Sequence, residues 1–245
     1  MKIGQSSNPA LSKKALTRVY ENADQGTMTI NGTIHKTILA LILVSLSAYF
    51  TWNHTLATGS LSYGIFGAIG GFVVAIVTIF KPAWSHITTP IYAILEGLFL
   101  GGISAFLNSM YPGIAFQAIV LTFGVAFAML FAYRSGLIKA TSKFKKGVIA
   151  ATGGIAIFYL LNIVFGFLGG GISLASMGLM GIGIQLFIVG IAALNLILDF
   201  DMIERLSSQG APKVMEWFGA FGLTVTLVWL YLEILRLLAL LSGRD

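Results

Sequence analysis

Cysteine is absent from the 245-residue chain, which excludes disulfide bridges, thiol nucleophiles and Cys-ligated metal sites. Charge is scarce as well, because Asp, Glu, Lys and Arg make up only 10% of the residues. Soluble globular domains carry about 25%. Hydrophobic residues make up 57% of the chain, and the run 147–198 contains no Asp, Glu, Lys or Arg. So few polar side chains cannot cover a water-facing surface, and the composition predicts an integral membrane protein in contact with the lipid bilayer.

Signatures of enzymes are also missing. The histidines His35, His54 and His86 form no H-E-x-x-H pattern, and Gly-x-Ser-x-Gly does not occur. The acids at 199 and 233 lack the Gly-x-Gly-Asp setting of intramembrane aspartyl proteases. We therefore expect no enzymatic activity and no cofactor. The net charge of +6 is spread between apolar runs, so it predicts orientation in a membrane and not binding to nucleic acid.

Seven apolar segments are present, and most are close to the ~20 residues that a helix needs to cross a bilayer. They are continuous and do not alternate, so they predict an all-α protein with seven transmembrane helices. Pro112 is expected to start the fourth helix directly after Met110 and Tyr111. The predicted domains are a polar N-terminal arm, 1–33, and a seven-helix domain, 34–245. The segments are 37–52, 61–80, 90–109, 112–133, 148–168, 178–198 and 222–241.

Basic residues concentrate in alternate loops. The N-terminal segment 1–36 and the second, fourth and sixth connections contain 13 of the 15 Lys and Arg residues. The loops 53–60, 110–111 and 169–177 carry no formal charge. By the positive-inside rule, this pattern predicts a cytoplasmic N terminus and an external C terminus.

Residues 210–221 interrupt the last apolar region with Lys213 and Glu216. Two interpretations are open. The segment could form an interfacial helix that leads into the seventh span, or it could extend that span into water.

Ionisable residues within the spans are few, and each costs at least ~2.5–3.5 kcal/mol near the bilayer centre. Glu233 lies near the middle of the seventh span, where it is either a functional carboxylate or the partner of Arg236 three residues later. Glu96 lies six residues into the third span. It either has a function, or extends toward the cytoplasmic face or bonds a neighbouring helix.

The stretch LNLILDFDMIERL, residues 194–206, closes the uncharged run with acids. Asp199 is either the polar end of the sixth helix or, if the helix continues through MIERL, a residue inside it with Asn195 on the same face. Asp201 points about 200° away from Asp199 on a helix, so we expect it to be the solvated acid.

Three segments resemble the Bax inhibitor family, and specifically its bacterial-type branch. LNLILDFDMIERL is similar to the family's sixth-helix segment that ends in Asp, and WLYLEILRLL (229–238) resembles its Leu-Tyr-Leu-Asp motif in the seventh helix. EGLFLGGIS (96–104) resembles its Gly-rich third helix. The resemblance covers roughly residues 34–241. It implies a seven-helix protein, with the seventh helix central in the bundle, in a bacterial cytoplasmic membrane.

The resemblance also implies a pH-sensitive calcium leak channel or transporter, gated by a carboxylate pair on the sixth and seventh helices. By position that pair is Asp199 and Glu233, which would sense pH and bind calcium transiently. Arg236, Glu96, Asn195 and Asp201 would support it. The chain departs from the family pattern in three ways. Its second acid is Glu and not Asp, and Glu233 follows Asp199 by 34 positions, which is longer than the usual family connection. The second apolar segment, 61–80, contains no Arg or Lys, whereas some family members have an Arg in the second helix.

The alternative is a non-transporting regulator that binds a membrane protein partner, such as a membrane-anchored protease. The basic arm 1–36 and the loop 134–147 would provide the contact surface. The same features suit anionic lipid headgroups.

Overall fold

A computed structural model describes residues 26–171 and 173–243, and the fold is a bundle of long α-helices. Seven of these helices are long and apolar enough to cross a membrane, which confirms the predicted fold class. Short 3₁₀ turns at Pro82–Trp84 and Leu174–Met177 precede the third and sixth helices. The helices are α1 Ile30–Thr58, α2 Ser62–Phe80, α3 Ser85–Met110, α4 Ile114–Arg134, α5 Ser142–Phe167, α6 Leu179–Ser208 and α7 Met215–Ser242.

Several helix ends differ from the prediction. Thr29 caps α1 through a bond from the Gly32 amide to its hydroxyl, so the helix begins inside the predicted arm 1–33. The rest of that arm, residues 1–25, lies outside the described residues. Pro112 does not start α4, because Gly113 adopts a left-handed conformation (φ 89°) and the helix begins at Ile114.

Residues 210–221 do not form a separate interfacial helix, and that interpretation is wrong. Gly210, with φ 67°, ends the turn after α6, and α7 then runs without a break from Met215. The alternative interpretation, an extension of the seventh span into water, is correct in that the segment continues the helix. It is wrong in that the segment does not lie in water. Glu216, Ala220 and Phe221 in this extension are buried inside the bundle and do not face water.

Helix α7 occupies the centre of the bundle, as the resemblance implies. It contacts α1, α3, α4 and α6, and 50% of its most apolar window is buried by protein. By the same measure α5 is 11% buried, and its main contact is α6. The core therefore lies around α7, and α5 sits at the periphery with most of its surface toward lipid.

Glycines allow α3 to approach its two neighbours closely. A Cβ atom at Gly97 or Gly101 would overlap the backbone of α1, at Val44 and Ala48 respectively. A Cβ atom at Gly67 of α2 would overlap the α3 backbone at Leu95. These contacts fix α1, α2 and α3 as one tightly packed unit, since no larger residue fits at the crossings.

We call the end of the bundle that carries Lys36, Lys81, Arg134 and Lys213 the basic end. The opposite end is formed by the connections 59–61, 111–113 and the described part of 168–178, none of which has a formal charge. We call it the uncharged end. Residues 26–29 cross the basic end, where Thr27 and Pro212 form an isolated antiparallel bridge.

Candidate functional site

Asp199 lies inside α6, nine residues before the helix ends at Ser208. The interpretation as a polar helix end is therefore wrong. Gly222 of α7 faces the side chain, since a Cβ atom there would lie 3.7 Å from Asp199 Oδ1. The Thr226 hydroxyl, one turn further along α7, hydrogen-bonds to the carboxyl group. Oδ2 is buried and accepts no hydrogen bond from any described residue.

This unpaired oxygen matters because of the position of Asp199 between two membrane-spanning helices. An ionised carboxylate with an oxygen that lacks a donor is costly in a medium without water. A proton on the carboxyl group, or a cation beside it, removes that cost. The geometry therefore makes Asp199 a site that gains stability when it binds a proton or a cation.

Glu233 is in the opposite situation. The residue is 2% exposed, and its carboxylate accepts hydrogen bonds from three helices. Gln185 Nε2 on α6 lies 2.7 Å from Oε2, and Trp229 Nε1 lies 2.9 Å from Oε1. Tyr159 Oη on α5 lies 2.9 Å from both oxygens, and Arg236 Nη1 lies 3.3 Å from Oε2.

Arg236 strengthens this cluster from the outside. Its Nη1 donates to Tyr159 Oη at 2.5 Å, and its guanidinium carbon lies 5.0 Å from the centre of the Tyr159 ring. The simple intrahelical pair of Glu233 with Arg236 is therefore present, but it is one part of a larger network. Four donors, one of them cationic, match the requirements of a charged carboxylate.

The structure does not bring Asp199 and Glu233 together. Asp199 contacts α7 at Gly222 and Thr226, and Glu233 lies seven residues beyond Thr226, or about 10 Å along the helix axis. On α6, Gln185 contacts Glu233, and Asp199 lies fourteen residues, or about 21 Å, further along. The direct carboxylate pair and a calcium site shared by both acids are therefore wrong for this structure. No group of three or more His, Asp or Glu residues that could hold a metal occurs among the described residues.

Asp201 faces away from Asp199, as the helical angle predicts, but it is not freely solvated. Its Oδ2 lies 2.7 Å from Lys145 Nζ on α5 and 2.7 Å from Arg205 Nε one turn later on α6. Asp201 thus joins the first turn of α5 to the last turns of α6 at the basic end. Its role in the structure is to pair these bases.

Asn195 and Glu96 do not contact Asp199 either. Asn195 Nδ2 donates to Thr152 Oγ1 at 2.8 Å, which links α6 to α5 on a different side. Glu96 lies eleven residues after the start of α3 at Ser85, near the middle of that helix, and not close to its end as predicted. Its side chain bonds Tyr92 and packs against Gly71 of α2. It bonds within its own helix.

A comparison with protein families matches residues 8–243 to the family described as Bax inhibitor 1 like. The chain belongs to this family. The match includes all seven helices and confirms the family that the three quoted segments predicted. No curated protein and no solved structure matches the chain.

Glu216 is a further buried acid, which the sequence analysis did not name as a candidate site residue. Glu216 is 1% exposed. Its Oε1 accepts from the Thr29 amide at 3.0 Å and from the Thr29 hydroxyl at 2.9 Å. Its Oε2 forms an ion pair with Lys36 of α1, whose ammonium group also lies 5.6 Å from the Trp217 ring centre.

Backbone hydrogen bonds complete this contact between the start of α1 and the start of α7. The Met28 amide donates to Ala211 O at 2.7 Å, and the Lys213 amide donates to Gly26 O at 3.1 Å. The sequence feature that could have indicated this contact is the pair of charged residues Lys213 and Glu216. From the sequence, these charges were interpreted only as an interruption of the last apolar region.

Proposed function

We propose that this protein is a pH-sensitive cation channel or transporter of the membrane, with calcium as the expected ion, in which Asp199 exchanges a proton for the cation. The observation that carries the proposal is the buried Oδ2 atom of Asp199, which has no donor among the described residues. Protonated Asp199 leaves no charge at its own contact with Gly222 and Thr226 of α7. Ionised Asp199 requires a cation or water, so α6 and α7 must admit one of them when the proton leaves.

Calcium binding at this site would be transient. Calcium takes six to eight oxygen ligands, whereas the side-chain oxygens placed here are those of Asp199 and Thr226. Water must supply the remaining ligands. A weak, partly hydrated site suits conduction, since an ion must leave as readily as it enters.

Glu233 has a different role in this proposal. Because its carboxylate already has four donors, Glu233 joins α5, α6 and α7. The response to pH is then assigned to Asp199 and not to a coupled pair of acids. Asn195 and Asp201 join α6 to α5, Glu96 bonds within α3, and none of the three is assigned to the ion.

Reconstitution into liposomes that contain a calcium-sensitive dye tests the proposal. We expect calcium entry to rise as the pH rises, because the ionised fraction of Asp199 rises. Asp199→Asn keeps the shape of the side chain and removes the charge, so it should abolish the pH-dependent flux. Glu204→Gln is the matched control, since Glu204 is an exposed acid on the same helix that bonds Tyr133. No flux at any pH, or full flux in Asp199→Asn, would overturn the proposal.

A regulator that binds a membrane-anchored partner remains the second candidate function. Four exposed bases on and beside the connection between α4 and α5 favour it, namely Arg134, Lys139, Lys143 and Lys146. If co-purification of a membrane protease depends on these bases and the liposomes show no flux, this second function replaces the first. If the bases instead increase retention on anionic vesicles, they serve lipid headgroups.

A further inference from the structure

A half-open cavity of about 450 Å³ lies between α1 and α4, nearer the uncharged end. Residues 41–53 of α1 form one wall, and residues 115–123 of α4 form the other. The floor consists of residues 100–104 of α3 and 227–231 of the central helix α7. The volume is within the range of about 300–1,000 Å³ that small-molecule sites occupy.

The lining of this cavity offers few free polar groups to a ligand. No residue along it has a formal charge, and four of its five hydroxyl groups are paired within the walls. Ser104 Oγ and Tyr231 Oη bond each other at 2.7 Å. The Ser45 and Thr122 hydroxyls donate to backbone carbonyls one turn earlier in their own helices, at 2.8 and 2.7 Å. Water needs two to four polar partners to fill a cavity, so the interior favours a hydrocarbon.

The cavity opens between α1 and α4. Tyr49 on α1 and Phe116 on α4 line it, and each is 71% exposed at its rim. Both residues belong to membrane-spanning helices, so the medium outside the opening is the bilayer. A ligand that enters here comes from the lipid phase.

The length of the cavity matches one leaflet. From Leu41 to Asn53 the α1 wall rises about 18 Å, and one leaflet contributes about 15 Å of hydrocarbon. Trp52 and Asn53 stand at the end closest to the membrane surface, where amphipathic side chains meet the polar part of a lipid. A chain that extends along the wall would therefore place its ester group beside these two residues.

We propose that this cavity binds one acyl chain of a bilayer phospholipid, with the glycerol end at Trp52 and Asn53 and the methyl end at the α7 floor. The uncharged lining selects the chain and not the headgroup charge, so a zwitterionic phospholipid suffices. The chain fills the space between α1 and α4 and supports α7 from the side.

Photolabelling of the protein in phosphatidylcholine vesicles tests the proposal. One acyl chain of the lipid carries a diazirine near its methyl end, and labelled residues are mapped by mass spectrometry after irradiation. We expect labels on the floor residues Leu100 and Val228, which are 7% exposed and cannot meet bulk lipid. Leu230 and Leu235 of α7 do not line the cavity and are 0% and 1% exposed, so they should stay unlabelled. A diazirine next to the glycerol should move the labels to Trp52 and Asn53.

Two filled-cavity variants complete the test. Ser45→Phe on the α1 wall and Ile119→Trp on the α4 wall should each lower floor labelling at least severalfold. Leu46→Phe is the matched control, because Leu46 is 64% exposed on α1 and does not line the cavity. Circular dichroism verifies that each variant keeps its helices. The proposal is wrong if Leu100 and Val228 are labelled no more than Leu230 and Leu235. It is also wrong if the two filled-cavity variants label Leu100 and Val228 as much as the Leu46→Phe control does.

Discussion

Replacing Lys36 with Met should destabilise the protein more than replacing Glu216 with Gln, although the two residues form one ion pair. The reason is their unequal exposure. The Lys36 side chain is 20% exposed near the basic end, whereas the Glu216 side chain is 2% exposed between α1 and α7. If Lys36 is lost, the buried carboxylate of Glu216 has no countercharge. If Glu216 is lost, the ammonium group of Lys36 can still reach water.

The magnitudes follow from those environments. In Lys36→Met, Glu216 keeps the two Thr29 donors but becomes a buried carboxylate without a countercharge, which costs about 3–5 kcal/mol of unfolding free energy. In Glu216→Gln, the amide oxygen still accepts from Thr29, and Lys36 can extend toward water. The loss is then about 1.5–3 kcal/mol, the contribution of a hydrogen bond to a charged group.

Denaturant unfolding in detergent–lipid micelles, followed by far-ultraviolet circular dichroism, measures both free energies. The double variant Lys36→Met/Glu216→Gln should be more stable than Lys36→Met alone, because it removes the uncompensated charge. Lys139→Met, at an exposed lysine, is the control and should change the free energy by less than about 0.5 kcal/mol. A smaller loss in Lys36→Met than in Glu216→Gln would refute the reasoning.

Three further predictions concern the Glu233 cluster, the glycine contacts and the orientation. Tyr159→Phe should lower the unfolding free energy by about 1.5–3 kcal/mol, because Glu233 loses a donor that joins α5 to α7; an unchanged free energy would contradict a charged Glu233. Gly97→Ala should lower the unfolding free energy by about 1–3 kcal/mol, because the new methyl group overlaps α1. Gly153→Ala on α5 meets no atom within 4 Å and should raise the unfolding free energy by about 0.5–1 kcal/mol. Equal effects of the two substitutions would contradict the close crossing of α3 and α1. Since the chain has no cysteine, a single Cys at 139 should react with an impermeant thiol reagent only from the cytoplasmic side, and labelling from outside would reverse the predicted topology.

The helices were predictable from sequence because each apolar run is long and lies between polar loops. Hydropathy identified all seven, and the resemblance placed α7 at the centre. The helix ends were less well predicted, because caps such as Thr29 and turn glycines such as Gly113 act through local backbone geometry.

The predicted pairing of the two acids came from the resemblance by position, and the sequence left open how residues 210–221 connect α6 to α7. Since α7 begins at Met215, α6 and α7 form an antiparallel hairpin with a turn of six residues. Asp199 lies nine residues before the end of α6 and so faces the region of Thr224, nine residues into α7. Glu233 lies eighteen residues into α7 and faces the region of α6 that contains Gln185.

The contact at the basic end was hidden from sequence reasoning for another reason. Thr29 and Glu216 are 187 positions apart, and no local pattern links them. The register of α1 against α7 arises from packing of the whole bundle, with Met28 and Thr33 against Gly219. A single sequence carries no direct signal for such a long-range pair.

Infrared difference spectroscopy of the reconstituted protein between about pH 6 and about pH 8 tests the central claim most directly, because it detects the protonated carboxyl group itself. We predict a protonated-carboxyl band at low pH that disappears at high pH, is missing from Asp199→Asn, and persists in Glu233→Gln. A band that persists in Asp199→Asn and is lost in Glu233→Gln would contradict the account and assign the titration to Glu233.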